Sequence, residues 1–284
     1  MYPRVFRAAG HEMTPEDWVT AAQLALPDRA HLTGITRLQQ LGLDFGPSFP
    51  LRFVIEGELH LAFEKIFLHR TKRLPPTDGV GVTVPAAYLS YCARARVIDA
   101  IKVGDWLLFH GHTTAAEIMA LAFSGLWRDG ADEAIWILEH LDGRARSLME
   151  SETRAILRFC GLTGPEVNAA VDVGEHIEVI GDLVYRQWRT VVEYEGSQHQ
   201  EDREVYGHDL DRYGLMRAAG IDYVQVTKER IRKPRSLAGE VFRTLLRNGY
   251  DGPPPEFGVQ WELLFRPVRV AVGQKHDRFR SSGA

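Results

Sequence analysis

Asp182, Glu193, Glu195 and His199 stand close together in the sequence, in a stretch where short apolar runs alternate with polar residues. Carboxylates that share one patch repel each other, and a hard cation such as Mg²⁺ is the partner that can hold them together. A histidine beside such an ion can accept a proton from an attacking water. This combination of residue types is typical of metal-assisted hydrolysis of phosphodiester bonds.

A β-hairpin is the element that must bring these groups together. Two runs of β-branched and aromatic residues flank a polar connection centred near Trp188, which is the pattern of a hairpin. A turn at that point places Asp182 opposite Glu193 and Tyr194. Alternation along the second strand directs Glu193 and Glu195 to one side and Tyr194 to the other.

The same residues have a simpler interpretation. Acidic residues near the end of a strand often form only a solvated edge, and a single histidine is more often structural than catalytic.

Glu150 also has two interpretations. Ser147 and Glu150 form the pattern of a capping box that begins a helix, in which Glu150 reaches back to the helix start. Alternatively, Glu150 is a fourth acidic group that approaches the metal from the neighbouring helix.

The length and composition of the chain are typical of a globular protein with one large or two modest domains. The chain has 284 residues, of which 45% are hydrophobic and 25% charged. No apolar run approaches the length of a membrane span, and the N-terminus lacks the apolar core of a signal peptide. Cys92 and Cys160 lie in apolar contexts, which is typical of buried thiols in a reducing compartment. We therefore expect a cytoplasmic protein without a membrane partner.

Basic residues form a dense segment near the C-terminal third of the chain. The net charge of −4 argues against a protein that coats nucleic acid indiscriminately, but local basic patches remain compatible with it. Most such segments are merely solvated, although an enzyme acting on phosphodiesters must hold a polyanion near its metal. The candidate nucleic-acid-binding residues are Lys228, Arg230, Arg232 and Lys233.

Periodicity and turn signals predict an α/β (α+β) chain in three parts. Residues 1–145 are predicted to be mostly helical with a small sheet, and residues 146–250 to form a mixed sheet flanked by helices. Residues 251–284 are predicted to be a proline-rich and basic C-terminal extension. Within these parts the patterns also predict one helix over 86–100, a helix over 203–219, and two strands over 259–264 and 268–272.

The order of the central elements resembles the PD-(D/E)XK nuclease superfamily, in the branch similar to very-short-patch repair endonucleases. The resemblance covers about residues 147–247 and implies a restriction-endonuclease-like fold. The residues that carry it are Ser147-Leu-Met-Glu150-Ser151, Gly161-Leu162, Gly181-Asp182-Leu183, Val192-Glu193-Tyr194-Glu195-Gly196 with His199, and Ala218-Ala219-Gly220 before Val224-Gln-Val226-Thr227.

This resemblance implies a role for each matching residue. Asp182 corresponds to the central metal ligand, Glu193 to the acidic position of the third motif, and the Tyr194 carbonyl could also reach the ion. Glu195 stands where most of the superfamily has the lysine that steadies the attacking water. His199 would have to supply part of that role.

The resemblance also implies that Glu150 matches the helix glutamate of the family. Asp209 matches an aspartate that is often preceded by arginine in relatives, whereas His208 precedes it here. Glu150, Asp182, Glu193, Glu195 and His199 are therefore the catalytic candidates, and Asp182, Glu193 and Tyr194 are the metal-binding candidates.

A second resemblance is carried by the stretches 2–6, 22–41, 69–70 and 82–85. Through these stretches the first 145 residues resemble AbiEi-type antitoxins of type IV toxin–antitoxin systems. Relatives often begin with a winged helix-turn-helix, and this chain starts where that module would be finishing. A protein partner from a toxin–antitoxin or defence system is therefore an expectation.

Two functions follow as hypotheses. The first is an endonuclease that depends on Mg²⁺, with Mn²⁺ as an alternative ion, and hydrolyses DNA in bacterial defence or repair. The second is an AbiEi-like DNA-binding regulator or antitoxin that retains a weak or inactive nuclease fold as a scaffold. A module that only mediates protein contacts in a defence system is a third possibility.

Overall fold

The computed structural model describes residues 2–174, 177–195 and 213–273. Helices alternate with two mixed β-sheets, so the α/β class predicted from the sequence is confirmed. The chain divides into two compact units, Met1–Arg94 with His112–Leu138 and Ala95–Gly111 with Glu139–Ala284. Residues 95–111 thus belong with the second unit, which a single boundary near residue 145 does not anticipate.

The described residues form the following helices and strands, each numbered in chain order. The helices are α1 (Pro15–Ala25), α2 (Gly34–Gln39), α3 (Val84–Cys92), α4 (Val97–Phe109), α5 (Ala115–Phe123), α6 (Ala131–Leu138), α7 (Leu148–Phe159), α8 (213–218), α9 (Lys228–Ile231), α10 (Pro234–Arg247), α11 (Val259–Leu264) and α12 (268–273). The strands are β1 (His31–Leu32), β2 (Leu51–Glu56), β3 (Ile66–Thr71), β4 (Glu166–Asp172), β5 (Glu178–Tyr185), β6 (Thr190–Tyr194) and β7 (Asp222–Val226).

The first unit is built on a three-stranded sheet with β2 in the centre. Strand β1 pairs with β2 antiparallel, and β3 pairs with β2 parallel. Phe53 on β2 is fully buried and packs with Val19 and Ala22 of α1. Thr14 begins α1 through a capping box with Asp17, and Pro15 occupies the first turn.

The second unit is built on a four-stranded sheet in the order β4–β5–β6–β7. The first three strands form an antiparallel meander, and β7 lies parallel to β6. Helices α7 and α10 pack against the sheet, and Met216 of α8 packs with Val184 and Val191. This arrangement places the ends of β6 and β7 at one edge, next to the start of α9.

The predicted helix over 86–100 is wrong as a single element. It is two helices, because α3 ends at Cys92 and α4 begins at Val97. Backbone groups in the break bond to a distant segment instead of continuing a helix: Val97 N donates to Arg266 O at 2.9 Å, and Val268 N donates to Ala95 O at 3.0 Å.

The predicted strands over 259–264 and 268–272 are wrong, since both segments are helical. The physical reason is visible in which side chains are buried. Trp261 and Leu264 on α11, and Val268 and Ala271 on α12, are all buried, and within each pair the spacing of three residues is that of one helical face. Helix α11 packs against α7 and α4, so residues 259–273 are an integral part of the second unit.

No helix among the residues that the structure describes is long and apolar enough to cross a membrane. The predicted helix over 203–219 is described only over 213–219, and it is helical over 213–218. The remainder of that prediction lies outside the described residues.

Candidate functional site

The hairpin predicted from the sequence is formed by β5 and β6. Leu183 pairs with Val192, and the strands are joined by one turn of 3₁₀ helix over Arg186–Trp188. Arg189 then adopts a left-handed conformation with φ 42° before β6 begins. Continuing the register beyond Leu183 places Asp182 opposite Glu193, as the sequence predicts.

Asp182 and Glu193 are held by a reciprocal pair of hydrogen bonds. The backbone N–H of Tyr194 donates to Asp182 Oδ2 at 2.8 Å, and the backbone N–H of Asp182 donates to Glu193 Oε1 at 3.3 Å. Each carboxylate therefore accepts an N–H group from the opposite strand. Because Glu193 is only 2% exposed, the hairpin fixes two acidic side chains next to each other in a partly enclosed position.

Strand β5 bends at Asp182. A methyl group on Gly181 would lie 2.8 Å from Val184 Cγ2 and equally close to Val191 Cγ1. Residues three apart in a regular strand are separated by about 10 Å, so Gly181 approaches Val184 only because the strand turns sharply between them. Glycine at 181 therefore permits the bend that carries Asp182.

Glu195 is held by neutral hydrogen-bond donors from two other elements. The Tyr213 hydroxyl of α8 donates to Glu195 Oε1 at 3.0 Å, and Gln225 Nε2 of β7 donates to Glu195 Oε2. The Tyr213 ring in turn stacks on Tyr223 with centroids 4.6 Å apart. These contacts fix the position of the Glu195 carboxylate, which the sequence patterns do not predict.

Glu150 is a buried residue in the first turn of α7. Its backbone N–H donates to Ser147 Oγ at 3.1 Å, as expected, but its carboxylate does not close the capping box. Glu150 Oε2 instead accepts from Arg146 N at 2.9 Å and from Asn168 Nδ2 at 2.7 Å. Glu150 thus ties the start of α7 to β4.

Asn168 and Gln225 are site residues that the sequence reasoning missed. Asn168 lies between the pairs Val167–Leu183 and Ala169–Gly181, which puts it opposite Asp182, and Glu193 pairs with Gln225 across β6 and β7. A row of four polar residues therefore crosses all four strands: Asn168, Asp182, Glu193 and Gln225. The signal in the sequence is a single amide within each of two otherwise apolar strand segments.

Asn168 also has an unusual backbone conformation. Its φ of 45° lies in the left-handed region, which asparagine tolerates better than most residues do. This conformation accompanies two donations from its amide nitrogen, to Glu150 Oε2 at 2.7 Å and to Arg144 O at 2.7 Å. The polar row is thereby connected to α7 on one side, and through Gln225 to Glu195 on the other.

The Tyr194 side chain lies near acidic groups on two helices. Burial raises the pKa of the Tyr194 hydroxyl, and Glu229 and Glu152 raise it further. Glu152 forms an ion pair with Lys102 of α4, whose side chain is only 8% exposed. The part of Tyr194 that the structure links to Asp182 is its backbone N–H.

The basic candidates lie at the edge of the sheet where β6 and β7 end. Lys228 and Arg230 belong to α9, which follows β7 directly, and Arg232 and Lys233 connect α9 to α10. All four side chains are exposed.

Arg230 is partly engaged within the protein. Its Nη1 donates to Gln225 O at 2.7 Å and to Glu240 Oε1 at 2.9 Å. Arg230 therefore supports the same residue that binds Glu195, while Lys228, Arg232 and Lys233 present their charge to solvent next to the acidic row.

The proton acceptor proposed from the sequence, His199, lies outside the described residues, as do His208 and Asp209. Over 2–174, 177–195 and 213–273, no group of three or more His, Cys, Asp or Glu residues is arranged to hold a metal ion. Asp182 and Glu193 supply adjacent carboxylate oxygens, which are the ligands that a hard divalent cation such as Mg²⁺ prefers. These two residues therefore fit the ion, with any further ligands to come from water or from residues beyond the described set.

Comparison with known proteins gives no relative for this chain. No family model, no curated protein and no solved structure matches it.

Proposed function

We propose that the second unit is a Mg²⁺-dependent endonuclease domain of the PD-(D/E)XK type that hydrolyses phosphodiester bonds in DNA. The observation that carries this proposal is the reciprocal hydrogen bonding of Asp182 and Glu193 in the middle of the polar row. Two adjacent carboxylates that are fixed by backbone donors supply the oxygen ligands that a hard divalent cation prefers. Their position therefore favours a divalent ion.

The order and direction of the elements support the same proposal. Helix α7 precedes an antiparallel meander of β4, β5 and β6, and α8 leads into β7, which is parallel to β6. This is the mixed sheet with flanking helices that the resemblance implies. Asp182 and Glu193 lie on β5 and β6, the second and third strands of this sheet.

The protein groups around the row have separate roles in this proposal. When bound, Mg²⁺ would polarise the phosphate and make a bound water more acidic. Asp182 and Glu193 would hold the ion, and His199 would accept a proton from the attacking water. Lys228, Arg232 and Lys233 would attract the phosphate backbone through long-range charge.

The alternative function is a DNA-binding regulator with an inactive nuclease fold, and the contacts of Glu195 favour it. Glu195 occupies the position where most PD-(D/E)XK nucleases have lysine, and it is hydrogen-bonded to Tyr213 and Gln225. A carboxylate held in this way cannot donate a hydrogen bond to an attacking water as a lysine would.

Cleavage of supercoiled plasmid, together with binding of Mn²⁺ by calorimetry, tests the nuclease proposal. Asp182→Asn and Glu193→Gln remove one charge each but keep an oxygen that can accept the same backbone N–H. We expect each variant to lower the nicking rate by about a hundredfold or more and to weaken Mn²⁺ binding, because each removes a charged ligand.

Glu178→Gln is the matched control, since Glu178 is an exposed carboxylate on the same strand, β5. It should leave both measurements unchanged. Nicking by the wild type that persists at full rate in Asp182→Asn would contradict the proposal. Sequence-selective DNA binding without metal, in a protein that neither binds Mn²⁺ nor nicks plasmid, would instead support the regulator.

A further inference from the structure

The first unit contains a cavity of about 240 Å³ at the carboxyl end of β3. The last three residues of β3 form one wall, α3 forms another, and the turn after α5 closes it. The side chains that matter for binding are His69, Arg70, Lys72, Trp127, Arg128 and Asp129.

Positive charge dominates this cavity. Arg70, Lys72 and Arg128 line it, whereas Asp129 is the acidic residue in the lining. Burial lowers the pKa of His69, an effect that Asp129 opposes. Arg70 also lies 3.7 Å from Glu58, and the excess of positive over negative side chains in the lining favours an anion.

Two more arginines add positive charge beside Phe67 of β3. Arg52 and Arg94 each lie 5.2 Å from the centroid of the Phe67 ring. Burial lowers the pKa of Arg52, and the nearby charge of Arg94 lowers it further. The cavity therefore opens beside a group of cations that exceeds the acidic residues near it.

Arg128 has a buried N–H group. Its Nε is buried and donates to no acceptor within the described part of the chain, and its guanidinium lies 4.6 Å from the centroid of the Trp127 ring. Burial, together with Arg73, lowers the pKa of Arg128. Arg128 lines the cavity, so its guanidinium offers charged donors to a phosphate oxygen there.

Trp127 supplies the second part of a binding site. Its side chain is 58% exposed beside the arginine, and Leu121 adds apolar surface to the same wall. Nucleic-acid bases stack on exposed aromatic rings, and arginine binds phosphate oxygens through its fork of donors. The cavity is smaller than the roughly 300–1,000 Å³ of pockets for drug-sized ligands, so its contents are limited to about one nucleotide.

We propose that this cavity binds a single nucleotide, with the phosphate at Arg70, Lys72 and Arg128 and the base stacked on Trp127. The nucleotide is either free or the 5′-phosphorylated end of a strand, because both present the same groups. This site is separate from the acidic row of the second unit, and it needs no metal.

Calorimetric titration of the full chain in the absence of divalent metal tests this proposal. The probes are the four deoxynucleoside 5′-monophosphates, a 5′-phosphorylated tetranucleotide, and deoxyadenosine without phosphate. At least one phosphorylated probe should bind, and deoxyadenosine should bind at least tenfold more weakly. If only the tetranucleotide binds, the ligand is a strand end, whereas binding of a monophosphate identifies a free nucleotide.

Two variants locate the site, and one serves as the control. Arg128→Gln should weaken binding about tenfold or more, because it removes a charged donor to phosphate. Trp127→Ala changes an exposed side chain, so it should fold normally and weaken binding several-fold. Arg29→Gln, at an exposed arginine of the same unit outside the cavity lining, should bind as the wild type does.

Three results would overturn the proposal. The first is that no phosphorylated probe binds the wild type. The second is that deoxyadenosine binds as tightly as its monophosphate. The third is that Trp127→Ala, shown to be folded by circular dichroism, binds every probe with wild-type affinity.

Discussion

At the scale of single residues, Glu150 shows how one carboxylate can serve structure while standing beside a candidate site. The structure assigns it the role of acceptor for Arg146 N and for the Asn168 amide. Its proposed participation in metal binding stays a prediction. The two roles have different consequences, because a structural acceptor affects stability whether or not a metal is present.

Glu150→Ala should lower the free energy of unfolding by about 1–3 kcal/mol, because two donors lose their acceptor in a buried position. Glu150→Gln keeps an acceptor oxygen and should lose less. Urea denaturation followed by tryptophan fluorescence measures both, with the exposed Glu178→Ala as the control. If Glu150→Gln retained full stability and lost nicking, Glu150 would act in catalysis and the structural account would be incomplete.

The reactivity of the two cysteines also depends on their immediate surroundings. Both side chains are buried, and Cys160 Sγ donates to Leu157 O at 3.1 Å. Burial raises the pKa of Cys160 to about 11 and raises that of Cys92 as well. Since the thiolate is the reactive form, neither residue has the properties of a nucleophile in the folded protein.

At the scale of elements, the β5–β6 hairpin positions the acidic pair, and a bend in β5 sets the position of Asp182. The bend depends on the absence of a side chain at Gly181, because Val184 and Val191 fill the space beside it. Both valines are buried, at 2% and 0% exposure, so neither can move aside into solvent.

Gly181→Ala should therefore destabilise the second unit by about 1–3 kcal/mol through overpacking, and it should displace Asp182. The matched control is Gly214→Ala in α8, where a methyl group meets no atom within 4 Å and the residue is exposed. That change should be neutral or slightly stabilising. Thermal unfolding distinguishes the two, and equal stability of both variants would refute the account of the bend.

At the scale of the whole molecule, residues 95–111 belong to the second unit although residues of the first unit follow them in the sequence. A buried ion pair joins α4 to α7 within this unit. Arg154 of α7 donates to Asp105 of α4 at 2.6 Å, and both side chains are almost fully buried, at 2% and 0% exposure. Asp105 also accepts from Asp142 N at 2.7 Å.

Asp105→Ala should lower the free energy of unfolding by about 3–5 kcal/mol, because it leaves the Arg154 charge buried without its partner. Asp99→Ala is the control on the same helix, since its ion pair with Arg96 is partly exposed and should contribute less than about 1 kcal/mol. Denaturation in urea compares them. A loss below about 1 kcal/mol for Asp105→Ala would mean that α4 is held mainly by apolar packing.

The sequence by itself determined the features that depend on neighbouring residues. The caps at Thr14 and Ser147 and the hairpin that brings Asp182 opposite Glu193 all follow from local signals, and the structure has them. The same reasoning failed for 259–264 and 268–272, because short apolar runs suit a strand and a buried helix equally well.

Only the tertiary structure decided which distant groups meet. The Asn168 amide binds Glu150, Gln225 binds Glu195, and α4 joins α7 through Asp105 and Arg154. Each contact joins residues at least 18 positions apart in the chain, and no local pattern encodes such a distance. The alignment of four polar residues across the sheet, and the cations around the cavity of the first unit, arise from strand register and helix packing. Strand register and helix packing depend in turn on how the whole core is buried.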